Sequence, residues 1–233
     1  MRYKHLFFDL DHTLWDFELN AKETLQELFD LNDLSGRGIE SFDFFFDRYS
    51  YHNERLWERY TRGFIKQEEL RWKRMWLSLL DCKITDEPLA RKMAVQFLEK
   101  LPSRTNLFPY TVEILEYLQE KKYKLHLITN GFDEVQHGKL RSCNIHVYFG
   151  HVITSECSNS LKPNREIFDF ALKTAGTTPD ESLMIGDNIE ADILGGMKAG
   201  MDTVYVNHLK VEVPKGVQPT YIIHHLKELE DIL

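Results

Sequence analysis

The sequence predicts an α/β protein, built as a doubly wound parallel sheet with an inserted all-helical domain. Two observations support this prediction. From about residue 104 onward, short apolar runs alternate with amphipathic helical segments, which is the pattern of a parallel sheet covered by helices. Between about residues 17 and 101 the pattern is almost entirely helical, so this stretch is interpreted as an insertion after the first strand.

The elements of the predicted sheet follow in order along the chain. The first strand is expected over residues 5–9, where Leu6, Phe7 and Phe8 form a continuous apolar run suited to a strand buried on both faces. Later strands are predicted at 124–129, 151–153, 182–185, 203–206 and 221–223, and helices at 111–121, 132–142, 164–175, 189–198 and the chain end. Helices that connect parallel strands complete a doubly wound fold.

The helical stretch contains three segments with apolar residues at positions i, i+3, i+4 and i+7, which begin at Phe42, Trp72 and Ala90. This spacing places the apolar side chains on one face of each helix. We therefore expect a helical domain at 16–101 and a core domain made of 1–15 and 102–233.

Composition and charge restrict the possible partners. The chain has 233 residues, with 29 Lys and Arg against 37 Asp and Glu, which gives a formal net charge of −8. Such a chain has no general field for nucleic acid, and no apolar run approaches the roughly 20 residues that span a bilayer. The three cysteines lack zinc-type spacing. We expect a cytoplasmic monomer or small homo-oligomer that binds neither nucleic acid polymers nor membranes.

Polar residues follow the predicted strands at the edge of the sheet where ligands bind in such folds. They are Asp9 and Asp11, Thr129 and Asn130, Lys162 in a later loop, and Asp187 with Asp192 five residues on. Carboxylates without cysteine or paired histidine favour Mg²⁺. A lysine and a hydroxyl–amide pair add the groups that stabilise a phosphoryl group, so the set predicts a phosphate site.

Four segments resemble, in order, the four motifs of the haloacid-dehalogenase-like hydrolases: 7–14, 127–131, 162–163 and 186–193. The resemblance spans nearly the whole chain. It implies a Rossmann-like core, a Mg²⁺ cofactor and a helical cap, inserted between the first two motifs, that closes over the active site. It also implies that the protein is an enzyme that acts on a small phosphorylated metabolite.

The resemblance implies roles for the residues of the first and last motifs. Asp9 would be the nucleophile that becomes an aspartyl phosphate, and Asp11 would be the general acid and base. Mg²⁺ would be held by Asp9, Asp187 and the backbone carbonyl of Asp11. Thr13 would orient Asp11.

Further roles follow from the same resemblance. Thr129 and the backbone of Asn130 would bind the phosphoryl group. Lys162 would stabilise the charge shared between nucleophile and phosphate. Asp192 would be a supporting residue near Lys162 or a metal-bound water.

The presence of Asp11 favours phosphatase chemistry over dehalogenation, because a departing alkoxide needs a proton and a halide does not. Segments 129–132, 168–172 and 192–196 resemble those of pyrimidine 5'-nucleotidases. A pyrimidine nucleoside monophosphate is therefore the expected substrate, and Trp15 and Phe17 are possible substrate contacts. A sugar phosphate, as in N-acylneuraminate-9-phosphatases, a phosphomutase and a non-catalytic binding module are the alternatives.

Overall fold

The computed structural model describes residues 2–233, which divide into two compact units. One unit contains the chain up to Phe17 together with Thr105–Leu233, and the other contains Glu18–Arg104. The helical unit therefore interrupts the sequence of the first unit, which we call the core unit.

The core unit is built on a six-stranded sheet in which every neighbouring pair of strands is parallel. The strands are β1 (His5–Phe8), β2 (Lys124–Thr129), β3 (Phe149–Thr154), β4 (Ser182–Gly186), β5 (Asp202–Val206) and β6 (Tyr221–Ile223). Their order is β3-β2-β1-β4-β5-β6. The predicted fold class is confirmed, and the topological switch point lies between β1 and β4, where a ligand crevice is expected.

The helical unit consists of four amphipathic helices: α1 (Phe17–Leu31), α2 (Phe42–Thr61), α3 (Gln67–Asp81) and α4 (Glu87–Lys100). The side chains of Ser41 and Asp86 accept hydrogen bonds from the first turns of α2 and α4, which satisfies backbone donors there. The apolar residues at helical spacing form the interior of this unit, including Phe45, Tyr49, Met75, Leu79, Met93 and Phe97.

The helices of the core unit are α5 (Thr111–Glu120), α6 (Asp133–Ser142), α7 (Ser155–Ser158), α8 (Arg165–Ala175) and α9 (Gly195–Lys198). The helix predicted over 189–198 is confirmed as a continuous helical segment, in which Ile189–Leu194 is π-helical and Gly195–Lys198 is α-helical. The side chain of Asn188 accepts from the backbone of Glu190 and Ala191, which holds the first turn of this segment. The predicted terminal helix is a 3₁₀ segment, Leu226–Asp231.

One large apolar cluster lies between α8 and the sheet. Phe7, Ile128 and Met184 from three adjacent strands pack with Ile167 and Phe168. Burying such side chains contributes roughly 1.5–3 kcal/mol each, so this cluster fixes β1, β2 and β4 against one another. Among residues 2–233, no helix combines the length and the apolar composition that crossing a membrane requires.

The chain leaves the core unit and returns to it along two adjacent segments. Trp15 and Leu107 form an antiparallel bridge, the amide of Phe108 donates to the carbonyl of Leu14 (2.9 Å), and the amide of Asp16 donates to the carbonyl of Asn106 (3.1 Å). The outgoing segment, 14–16, and the returning segment, 106–108, are thus hydrogen-bonded to each other within the core unit.

Candidate active site

The two aspartates of the first motif lie in a short loop at the carboxyl end of β1. The amide of Asp9 donates to the carbonyl of Ile185 (2.8 Å), which extends the pairing of β1 with β4 by one residue. The amides of Leu14 and Trp15 both donate to the carbonyl of Leu10 (3.0 and 2.9 Å), so the loop closes on itself. The backbone between the two aspartates is therefore fixed before any ligand arrives.

Lys162 connects two of the carboxylates. Its ammonium group donates to Oδ1 of Asp9 (2.6 Å), Oδ1 of Asp192 (2.6 Å) and the carbonyl of Ile128 (2.7 Å). These three bonds use all three donors of the ammonium group, and the side chain is only 2% exposed. Lys162 is thus a fixed positive charge beside Asp9.

Asn130 holds the loop that carries Lys162. Its side-chain oxygen accepts from the amide of Lys162 (2.7 Å), and its side-chain nitrogen donates to the carbonyl of the same residue (2.9 Å). The loop after β2 and the lysine loop are therefore joined by two reciprocal bonds. The side chain of Asn130 serves Lys162, whereas the resemblance assigns a phosphate contact to its backbone.

Asp192 lies beneath β4, where a glycine leaves space for it. A Cβ atom added at Gly186 would be 2.2 Å from Oδ2 of Asp192, so a side chain at this position would displace the carboxylate. The same oxygen accepts from the amide of Asn188 (3.0 Å), while the other binds Lys162. The structure thus brings Asp192 to Lys162, as the resemblance implies.

Asp187 follows β4 and lies on the same side of the site as Asp9. The hydroxyl of Thr13 donates to Oδ1 of Asp187 (3.1 Å). The hydroxyl of Thr13 therefore binds the carboxylate of the fourth motif, and its expected role in orienting Asp11 stays a prediction.

Burial and mutual repulsion raise the pKa values of Asp9 and Asp187. Desolvation and the nearby Asp192 raise the pKa of Asp9 to about 7, although Lys162 opposes this shift. Burial, followed by the charges of Asp9 and Asp192, raises the pKa of Asp187 well above its usual range. Burial disfavours the charge of Lys162, but Asp192 and Asp9 raise its pKa above the usual value.

The residues present fit a divalent cation. Asp9, Asp187 and Asp192 each offer a carboxylate oxygen within 4.8 Å of the others. Three carboxyl groups outnumber the one ammonium group, and a Mg²⁺ ion would balance the charge that they carry when ionised. Lys162 and the amide of Asn188 already occupy the two oxygens of Asp192, so Asp9 and Asp187 are the carboxylates available to Mg²⁺.

Asp11 is held by a different set of residues, both on α6. The ammonium group of Lys139 donates to Oδ1 of Asp11 (2.6 Å), and the amide nitrogen of Gln136 donates to Oδ2 (3.0 Å). Sequence reasoning missed both residues. The available signal was their position, because Phe132, Gln136, Lys139 and Leu140 share one face of the helix. A polar residue on an otherwise apolar face is a candidate for a buried role.

Thr129 ends β2 beside this second cluster. Its hydroxyl oxygen accepts from the amide nitrogen of Gln136 (2.7 Å) and from the backbone amide of Gly131 (3.1 Å). A hydroxyl has two acceptor positions and one proton, so both acceptor positions are filled. The proton of Thr129 is therefore left to donate elsewhere.

The two candidate substrate contacts differ in exposure. Trp15 is fully buried, and the ammonium group of Lys139 lies 4.3 Å from the centre of its ring. Phe17 is half-buried, with the same ammonium group 5.7 Å from its ring. Trp15 therefore packs against the ammonium group of Lys139. Phe17 is the one of these two aromatic residues that is partly exposed to solvent.

Comparison with known proteins identifies the class to which this fold and site belong. The family description "haloacid dehalogenase-like hydrolase" matches residues 3–200. The chain belongs to the haloacid dehalogenase-like hydrolase family, and the resemblance seen in the sequence is confirmed.

Individual relatives cover the full chain. Pyrimidine 5'-nucleotidase YjjG of Escherichia coli is 33% identical, with 100% of this chain and 99% of the relative covered. Pyrimidine 5'-nucleotidase PynA of Streptococcus pneumoniae is 32% identical, with 100% and 96% covered. The crystal structure of the HAD-hydrolase YfnB from Bacillus subtilis, bound to magnesium, superposes with a TM-score of 0.88 at 26% identity and covers 100% and 99% of the two chains.

Proposed function

We propose that the protein is a Mg²⁺-dependent phosphomonoesterase that acts through an aspartyl phosphate and hydrolyses pyrimidine nucleoside monophosphates. The observation that supports the reaction is the pair Asp9 and Asp11, two carboxylates on one loop, each bound by its own buried lysine. Two carboxylates in different environments can take different roles in the same reaction. The substrate rests on the similarity to the two pyrimidine 5'-nucleotidases.

In the first half of the reaction, Asp9 attacks the phosphorus atom through Oδ2, the oxygen that Lys162 does not bind. The bond from Asp9 to phosphorus forms and the bond to the ester oxygen breaks. Asp11 transfers its proton to the departing oxygen. Lys162 keeps a positive charge beside the nucleophile throughout, and the hydroxyl of Thr129 donates to an oxygen of the phosphoryl group.

In the second half, Asp11 is a carboxylate and removes a proton from a water molecule. The water oxygen forms a bond to phosphorus, and the bond from phosphorus to Asp9 breaks. Inorganic phosphate leaves, and both aspartates return to their starting states. A Mg²⁺ ion bound by Asp9 and Asp187, with the carbonyl of Asp11, would neutralise charge on the phosphoryl oxygens.

The helical unit is proposed to be the cap that selects the substrate and excludes water, a role that inserted units of this kind can have. Phe17, half-buried at the start of this insertion, is proposed to contact the substrate. The three free cysteines, Cys82, Cys143 and Cys157, are consistent with the proposed cytoplasmic location, where thiols stay reduced.

The test is phosphate release by the purified protein with Mg²⁺. The panel holds pyrimidine and purine nucleoside monophosphates, sugar phosphates and N-acylneuraminate 9-phosphate. We expect pyrimidine monophosphates to give the highest kcat/KM and Asp9→Asn to give none. Preference for a sugar phosphate would replace the substrate but keep the mechanism. Full activity of Asp9→Asn would overturn the mechanism.

A further inference from the structure

The side chain of Gln136 lies between Asp11 and Thr129 and contacts both of them. Its amide nitrogen donates one hydrogen to Oδ2 of Asp11 (3.0 Å) and the other to the hydroxyl oxygen of Thr129 (2.7 Å). The reverse orientation of the amide would place its oxygen against the carboxylate of Asp11. One side chain therefore holds both the proposed acid and the proposed phosphate ligand.

The surroundings of Gln136 favour a functional explanation over a structural one. The side chain is fully buried, and its oxygen Oε1 has no hydrogen-bond partner within the described residues 2–233. A buried oxygen without a partner costs stability, so this glutamine is a poor choice for the fold alone. A Cβ atom added at Gly131 would lie 2.4 Å from its amide group, so a glycine there gives it room.

Lys139 completes the arrangement one helical turn further on. It is 2% exposed, with its ammonium group 2.6 Å from Oδ1 of Asp11 and 4.3 Å from the centre of the Trp15 ring. Positions i and i+3 of a helix share one face, so Gln136 and Lys139 contact the two oxygens of the same carboxylate. Together they fix both the position and the plane of that carboxylate.

We propose that Gln136 and Lys139 are positioning residues for the phosphatase reaction. Lys139 and Gln136 hold Asp11 where it can protonate the departing oxygen, and Gln136 also directs the proton of Thr129 to the phosphoryl group. This inference rests on the proposed function and extends it to residues outside the four motifs.

The first experiment compares two leaving groups. Uridine 5'-monophosphate releases an alkoxide that needs the proton of Asp11, whereas 4-nitrophenyl phosphate releases a phenolate that leaves without one. We expect Lys139→Met to lower kcat/KM about 10- to 100-fold for the nucleotide and less than about 3-fold for the aryl ester. Arg141→Met removes an exposed cation from the same helix and is the matched control, with both values unchanged.

The second experiment measures phosphate affinity in place of turnover. Titration calorimetry with inorganic phosphate and Mg²⁺ is expected to give about 10-fold weaker binding for Gln136→Leu and unchanged binding for Lys139→Met. Gly131→Ala places a methyl group 2.4 Å from the amide group of Gln136, and we expect it to weaken phosphate binding as Gln136→Leu does. Circular dichroism of every variant checks that the fold is intact.

Wild type and Asp9→Asn are measured in parallel to separate the two proposals. If wild type is inactive or Asp9→Asn is active, the proposed function fails, and this inference fails with it. If wild type is active and Asp9→Asn is not, the inference is tested alone. Equal losses for both esters in Lys139→Met, or unchanged phosphate affinity in Gln136→Leu and Gly131→Ala, would then overturn it.

Discussion

Two buried lysines serve two aspartates on the same loop, but the clusters around them differ in charge. Around Lys162, the carboxylates of Asp9, Asp187 and Asp192 share a single ammonium group. Around Lys139, one carboxylate is matched by one ammonium group and an amide. We call these the Lys162 cluster and the Lys139 cluster.

The difference shows that a buried ion pair does not by itself indicate stability. The Lys162 cluster holds three carboxyl groups against one ammonium group. Burial, with the charges of Asp192 and Asp11, raises the pKa of Asp9 to about 7 although Lys162 lowers it, so a bound cation would favour the ionised form. The Lys139 cluster has one carboxyl group bound by one ammonium group and one amide, so it holds no excess of carboxylates for a cation to balance. Removing one carboxylate should therefore stabilise the Lys162 cluster, because it reduces the repulsion there. Removing the carboxylate of Asp11 should destabilise the Lys139 cluster, because it leaves the ammonium group of Lys139 without its charged partner.

The largest expected effect is on catalysis in the Lys162 cluster. Lys162→Met should lower kcat about 10³-fold, because it removes the fixed positive charge beside Asp9, the proposed nucleophile. Arg165→Met, which removes an exposed cation from the first turn of α8, is the control and should retain full activity. The comparison fails if Lys162→Met loses less activity than Lys139→Met under the same conditions.

The next effect concerns metal binding and thermal stability. Mg²⁺ at about 100 times its dissociation constant should stabilise the wild type by about 2.7 kcal/mol, measured as a rise in the melting temperature over the protein in EDTA. Asp187→Asn should abolish this rise, whereas Asp11→Asn should keep it, because only the backbone carbonyl of Asp11 is a proposed ligand. A Mg²⁺ response that disappears in both variants would show that the clusters are not independent.

A third prediction concerns the sign of the change in stability without metal. In EDTA, Asp187→Asn should raise the free energy of unfolding by about 1–2 kcal/mol, since it removes one of the repelling carboxylates. Asp11→Asn should lower it by about 1–3 kcal/mol, because it leaves the buried ammonium group of Lys139 without its carboxylate. Urea unfolding of both variants checks this, and shifts of the same sign would contradict the distinction.

The smallest expected effect is on how the free energy of unfolding of the metal-free protein changes with pH. Because burial raises the pKa of Asp9 to about 7, the folded chain keeps a proton that the unfolded chain has released between about pH 4 and 7. Asp9 should therefore make the stability in EDTA fall as pH rises through this window, by about 1 kcal/mol per pH unit, whereas the lowered pKa of buried His126 acts in the opposite direction.

Two variants test whether Asp9 causes this dependence of the unfolding free energy on pH. Asp9→Asn should make the slope of unfolding free energy against pH in EDTA less negative, because it removes one of the two carboxyl groups, Asp9 and Asp187, whose pKa values are raised. Glu134→Gln removes an exposed carboxylate on α6 and should leave the curve as it is in the wild type. The raised pKa is contradicted if the stability of the wild type relative to Asp9→Asn does not fall between pH 4 and 7.

The residues of the Lys162 cluster could be predicted because the carboxyl ends of parallel strands meet at one edge of the sheet. Asp9 and Asp187 follow adjacent strands, so knowing the strands was enough to bring them together. Their chemical roles stay predictions. The family and the fold class inferred from the same motifs are confirmed.

Gln136 and Lys139 could not be found in this way, because their placement depends on how α6 is rotated about its axis. A glutamine and a lysine on a helix are usually interpreted as solvent-facing, and no strand end marks them. The partner of Thr13 was missed for a related reason, since the turn that brings its hydroxyl to Asp187 depends on backbone geometry. Contacts between elements required the structure, whereas contacts along the sheet edge did not.

The antiparallel bridge between Trp15 and Leu107 also bears on how such a chain can change over evolution. Because the two connections pair side by side, their ends lie about 5 Å apart, as in a hairpin. An insert of any length that begins and ends at neighbouring points can be exchanged there at a small entropic cost, since loop-closure entropy grows only slowly with length. The sheet edge that carries the candidate site can thus be kept unchanged while the inserted unit, the proposed cap, is replaced.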